Sequence, residues 1–302
     1  MSVVVATSLG DARPGWRPVM TLARIEARRY ATRVSVWAGW LAMVAVAVWH
    51  RSDWPGGAYE EVLPLAPGFG ALGTFVAGVR TGGRDHDTEA GPLAEEAGLG
   101  DRERAAARLA GLAVPVGLAV LMVLAVAVVS RIEGGFWLGE GPRRTDSARH
   151  TPAELLQPVL FVALAGALGV SVGARVQRSV LAIAAGVFVW TAVVPLAWMW
   201  NAPGRYPVAP LQAMPLRVPL PDVRTFADMP ADWFGESPTQ YEPHFTRSLV
   251  HTPTVVLHDL FLLGLLAVVV AWAWPARRGQ LRVGGAVLAV AAVAGQFAVS
   301  PF

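Results

Sequence analysis

The sequence predicts an all-α, polytopic transmembrane helical bundle with six spans and a seventh at the carboxyl end. Three observations lead there. Hydrophobic residues make up 54% of the 302 residues and charged ones only 16%. Several apolar runs approach the roughly 20 residues that a helix needs to cross a hydrocarbon core of about 30 Å. Finally, all 25 basic residues are arginine, and most sit at the ends of those runs, where they anchor headgroups and set topology.

Taken in order, residues 1–33 form a tail and an amphipathic leading helix, and 34–302 the transmembrane domain. The first residues, MSVVVATSLGDARPGW, have no basic n-region and are expected to remain as a cytoplasmic tail. From Arg17 to Arg33, Met20, Ala23, Ala27, Tyr30 and Val34 recur at helical spacing, while Arg17, Thr21, Arg24 and Arg28 form a polar stripe. Such a helix lies in the headgroup layer.

The spans are expected at about 34–49, 62–79, 109–130, 155–174, 180–200, 254–274 and 283–302. Trp37 and Trp40 mark one interface of the first and Trp49 the other. Gly68, Gly70, Gly73 and Gly78 in the second, and Gly166, Gly169 and Gly173 in the fourth, permit close helix contacts. Thr151-Pro-Ala-Glu154 spells a capping box at the start of the fourth span. Thr252-Pro253 repeats the cap-then-proline pattern before the sixth. The proline-rich stretch 201–251 should form an extended, lid-like external loop with at most short helices. With the amino end inside, the inner segments carry sixteen arginines against nine outside, so the positive-inside rule favours that orientation.

Several classes of chemistry fall away. Without lysine there is no Walker A loop, whose lysine reaches the β- and γ-phosphates. Without cysteine there are no disulfides, thiolates or cysteine metal sites. No Gly-x-Ser-x-Gly elbow and no His-Glu-x-x-His helix occurs, the arginines form no aromatic-interleaved face for nucleic acid, and no metal is expected. Catalytic residues are therefore expected to be none. Intramembrane polar residues are few: Gln157, Thr191, His258 and Asp259 are candidates for a substrate path, with Gln296 a further cavity or interhelical group.

The most charged stretch is the loop 80–108, between the second and third spans. Gly91-Pro92 is expected to start a short helix to Ala97, acidic at Glu89, Glu95 and Glu96, with Leu93 and Leu99 as apolar anchors. Asp101 is expected to cap the next helix, followed by Arg102. A short helix lying across the face of the bundle suits a cleft in another protein.

At this point the chain resembles the membrane subunits of ABC exporters of the second type. The residues carrying the resemblance are Glu89-Ala-Gly91-Pro-Leu93, then Asp101-Arg102 and the helical stretch 105–110, together with the amphipathic leading helix and the spacing of six spans. Pro92 replaces the family's usual small residue, and AEEAGLG its leucine-rich helix. The resemblance implies a permease that exports a hydrophobic or amphipathic substrate from a bacterial cytoplasmic membrane. It further implies a separate ATPase subunit that binds ATP and Mg, and a second membrane subunit in a homodimer or heterodimer. Coupling would run through Glu89, Gly91, Leu93, Glu95, Glu96, Asp101 and Arg102, and this chain would hold no cofactor itself. Two other readings stay open. One is a membrane-embedded enzyme acting on a lipid-linked substrate, using Asp228, Asp232, Glu236 or His244; the other is a non-transporting scaffold or immunity-type subunit.

Overall fold

The computed structural model describes residues 16–53, 62–63, 66–86, 100–138, 145–199, 216–228, 234–236, 243–249, 251–274 and 278–299. The body is helical: α1 (Trp16–Thr32), α2 (Val34–Asp53), α3 (Ala66–Gly82), α4 (Asp101–Gly111), α5 (Ala113–Ile132), α6 (Pro152–Gly173), α7 (Ser179–Met199), α8 (Thr252–Ala273) and α9 (Arg278–Val299). Four stretches are long and apolar enough to cross a membrane: Asp101–Ile132, Pro152–Gly173, Thr252–Ala273 and Gly279–Val299. A fifth is added if α1 and α2, bent by 57° across Arg33, count as one. This is a membrane protein by length and composition of its helices.

α3 occupies the centre. It packs on α2, α5, α6 and α7, and most of its residues are buried. Glycine explains how. A Cβ on Gly78 would come within 2.7 Å of the Gly166 carbonyl oxygen, and one on Gly39 within 2.6 Å of the Phe69 oxygen. At Gly169 and Gly173 the Phe75 and Val79 carbonyls fill the space a side chain would need. On the other side of α6, α8 and α9 meet the same way, Gly264 against Gly285. In lipid, where apolar side chains gain little from leaving their surroundings, such close backbone contact is what holds helices together.

Capping sets where the helices begin. Thr151 Oγ1 accepts from the Glu154 backbone N–H at 3.3 Å, and Glu154 Oε2 accepts from the Thr151 N–H at 2.6 Å, with Pro152 in the first turn. At α8 the cap is His251 rather than Thr252, and its ring Nδ1 meets Thr254 Oγ1 at 2.7 Å. The third span is interrupted by a turn at Leu112, with Pro115 in the first turn of α5. α9 begins at Arg278, five residues before the apolar run expected at 283.

Two of the loops hold strands, which in 201–251 departs from the extended chain with at most short helices expected there. β1 (Phe136–Leu138) pairs antiparallel with β2 (Thr145–Ala148). β3 (Leu216–Leu220), β4 (Phe234–Glu236) and β5 (Phe245–Leu249) form an antiparallel sheet of order β3-β5-β4. Pro219 sits in β3, opposite Thr246. An edge strand tolerates proline because the missing N–H need not face a neighbour, so the proline density of this region does not forbid a sheet.

Candidate functional site

α1 carries a single carboxylate, Glu26, among five arginines from Arg17 to Arg33. The helix buries Val19, Ala23, Glu26 and Tyr30. These lie at i, i+4, i+7 and i+11, one continuous stripe. Met20 and Val34, part of the apolar pattern in the sequence, are exposed. The stripe is displaced by one residue from the purely apolar pattern because it includes an acid.

Glu26 is only 3% exposed and carries two guanidinium contacts. Arg29 Nη1 donates to its Oε1 at 2.7 Å, one turn along the same helix. Arg84 Nη1, from the 3-10 turn Gly83–His86 that continues α3, donates to Oε1 at 2.9 Å and Oε2 at 3.1 Å. Burial lowers the Arg84 pKa, and the Glu26 charge opposes the shift. Tyr30 is fully buried beside Thr81 near the end of α3, and burial pushes its hydroxyl up to about 12.

The same helix holds α4. Val19 and Ala23 pack on Ala107 in one small apolar cluster. Gly111 makes the approach possible, since a Cβ there would stand 2.9 Å from the Glu26 Cβ and 3.2 Å from the Tyr30 ring. Arg108 is buried on α4 and lies within electrostatic range of Arg84. Thus α1 grips the charged loop at both of its ends: the ionic contact holds the segment before 87–99, and the apolar contact holds the segment after it.

Of the loop residues singled out in the sequence, Glu89, Gly91, Leu93, Glu95 and Glu96 lie outside the described residues, as do Leu99 and the expected short helix from Pro92 to Ala97. Asp101 and Arg102 are described and exposed, and neither joins the Glu26 contact. Asp101 is not the cap of α4. Gly100 holds that position without a side-chain cap, and Asp101 and Glu103 occupy the first turn, favoured there by the helix dipole.

The intramembrane candidates separate into two groups. Ser171 Oγ donates to the Val269 carbonyl at 3.0 Å and Arg175 Nη2 to that of Trp272 at 2.6 Å, so α6 and α8 run parallel. Gly264 facing Gly285 and Leu257 facing Gly295 set α9 antiparallel to α8. Gln157 on α6, His258 and Asp259 on α8 and Gln296 on α9 are therefore buried at one end of this three-helix unit. His258 packs on the Phe261 ring at 5.5 Å between centroids, and Asp259 Oδ1 has no hydrogen-bond partner among the described residues. Thr191 belongs elsewhere. It is exposed on α7, and its hydroxyl donates to its own helix at Val187 and Phe188, both 3.0 Å away.

The residues proposed for an enzyme do not assemble among the described part of the chain. Asp228 Oδ2 accepts from the Thr225 N–H and hydroxyl, both at 2.9 Å, which closes a local turn. His244 is exposed, Glu236 lies in β4, and Asp232 is outside the described residues. No three His, Cys, Asp or Glu side chains gather as metal ligands among the described residues.

Comparison with protein-family models, with curated proteins and with solved structures finds no match.

Proposed function

We propose that the chain is the membrane permease subunit of an ATP-driven transporter of the second exporter type. In this reading the loop 80–108 takes hold of a separate ATP-hydrolysing subunit, and α2, α3, α4 with α5, α6, α7 and α8 make six crossings, with α9 a seventh. The amino end is cytoplasmic in a bacterial plasma membrane, and a second membrane subunit, identical or different, completes the pathway for a hydrophobic or amphipathic substrate. ATP and Mg bind on the partner subunit.

The observation that carries this reading is the double grip of α1 on the loop. A partner pushing on 87–99 loads Arg84 on one side and α4 on the other, and both are tied to the same helix through Glu26 and Ala107. Arg84 continues directly into α3, the most enclosed helix of the bundle. Load arriving at Arg84 therefore passes from the 3-10 turn straight into α3, which suits rigid-body tilting.

Co-purification tests it. The chain should bring down an ATPase subunit from its native membrane, and changing Leu93 and Glu96 together should lower that ATPase activity. Unaltered assembly and turnover in the double variant would remove the loop from the coupling role.

A further inference from the structure

The ionic contact leaves positive charge over. Both oxygens of Glu26 are engaged by Arg29 and Arg84. Arg33 and Arg80 have no ion-pair partner among the described side chains, yet Arg33 is partly buried and lies within electrostatic range of both Arg84 and Arg80. Its pKa is lowered, first by burial and then by the Arg84 charge. Arg33 thus faces two like charges, Arg84 and Arg80, in the angle between the α1–α2 bend and the end of α3. An anion placed there would turn that repulsion into attraction.

Beside this charge stands an apolar wall. Val34 is 81% exposed and Trp37 41%, at the first two turns of α2, with Leu41 exposed one turn further on. The Trp37 ring is fixed: its Nε1 donates to the Ala31 carbonyl at 2.6 Å across the bend, and Trp40 meets it edge-on at 5.9 Å. Charge at the bend and exposed apolar surface running away from it along a membrane helix match one kind of molecule, with an anionic head and long hydrocarbon tails.

We propose that an anionic phospholipid of the leaflet at the arginine-rich end binds here, its phosphate between Arg33 and Arg80 and an acyl chain along Val34, Trp37 and Leu41. The site rests on α2 being a membrane helix and not on coupling to an ATPase, so the two proposals stand or fall separately. An occupant at this point would offset the charge of Arg33 and so relieve its repulsion by Arg84 and Arg80, holding the bend against α3.

The test is native mass spectrometry of the full chain in detergent with phosphatidylglycerol or phosphatidylcholine at equal concentration. Wild type should retain phosphatidylglycerol preferentially, and Arg33→Gln/Arg80→Gln should weaken that binding roughly tenfold or more, given about 1 kcal/mol per arginine near an anionic surface. Arg282→Gln, an exposed arginine at the start of α9, should retain it. Trp37→Ala should weaken phosphatidylglycerol, and inorganic phosphate in millimolar excess should fail to displace it. Equal loss in Arg282→Gln, equal retention of both lipids, unaltered binding in the double variant, or displacement by inorganic phosphate would each overturn the assignment. Should the double variant not fold, Arg80→Gln alone, at an exposed position, is read the same way.

Discussion

Arg84 reaches Glu26 across 58 residues of chain, one guanidinium nitrogen standing 2.9 and 3.1 Å from the two carboxylate oxygens. The contact joins α1 to the turn that follows α3. Removing one partner of a buried pair strands the other, at a cost of about 3 to 5 kcal/mol when both are fully enclosed. Arg84 is 24% exposed, so Glu26→Gln should cost somewhat less, about 2 kcal/mol. It should lower the thermal midpoint in detergent, and the exchange Glu26→Arg/Arg84→Glu should recover part of the loss. An exchange variant no more stable than Glu26→Gln would show that the pair contributes through packing alone.

Tyr30 gives this region a signature in alkali. Its folded pKa, raised to about 12 by burial, lies above the unfolded value near 10. The neutral hydroxyl is the form the fold favours, so its contribution is complete below pH 10 and is lost as pH rises from 10 towards 12. Thermal midpoints should fall more steeply across that window in wild type than in Tyr30→Phe. Parallel curves for the two proteins would assign the alkaline loss to other groups.

The glycine seam should be intolerant of side chains. Gly173→Leu forces a side chain into the Val79 carbonyl, a clash with backbone that no rotamer relieves, and should cost about 3 kcal/mol or more. Gly117→Ala in α5 meets nothing within 4 Å and should be neutral or stabilising by up to about 1 kcal/mol. Thermal unfolding of the two variants side by side checks the contrast.

At the start of α6, Thr151→Ala removes the acceptor for the Glu154 N–H and should cost about 1 kcal/mol, while Thr151→Ser should retain most of it. Equal midpoints for the alanine and serine variants would argue against the cap.

The seventh crossing is open to a single label. The chain has no cysteine, so Ser300→Cys provides a unique thiol. If α9 crosses, a membrane-impermeant maleimide should reach it from outside only.

The helical body was legible because each long apolar run leaves few alternatives to a helix in lipid, where every backbone group must be satisfied internally. The Thr151 box was legible for a related reason: its partners are three residues apart and nothing distant decides them. Caps shifted by one residue, as at Gly100 and His251, arise because Asp, Thr and Pro suit neighbouring positions of the first turn about equally. Glu26 was not legible. An acid among arginines on a short helix reads as solvated surface, and its burial depends on Arg84, which no local pattern links to it. The only advance signal was its place four residues after Leu22 and four before Tyr30, in register with the face that α1 buries. The long-range partner of Trp40 was not legible either. The Trp40 indole N–H donates to the Leu118 carbonyl of α5 at 3.2 Å, so it faces the bundle. The strands of 216–249 were obscured by Pro219, harmless at a sheet edge.

The α3–α6 seam also determines where movement can occur. Carbonyls of Phe75 and Val79 are seated in the vacancies at Gly169 and Gly173, and that of Gly166 in the vacancy at Gly78, like teeth of two meshed racks. Meshed racks do not slip by a fraction of a tooth. Any displacement of α3 therefore takes α6 with it as one beam, and α8, tied to α6 through Ser171 and Arg175, is carried along with them. Relative movement is left to contacts outside that beam, such as the one where the Phe75 ring, not a carbonyl, fills the space beside Gly186 of α7, because a side chain can turn where a backbone cannot.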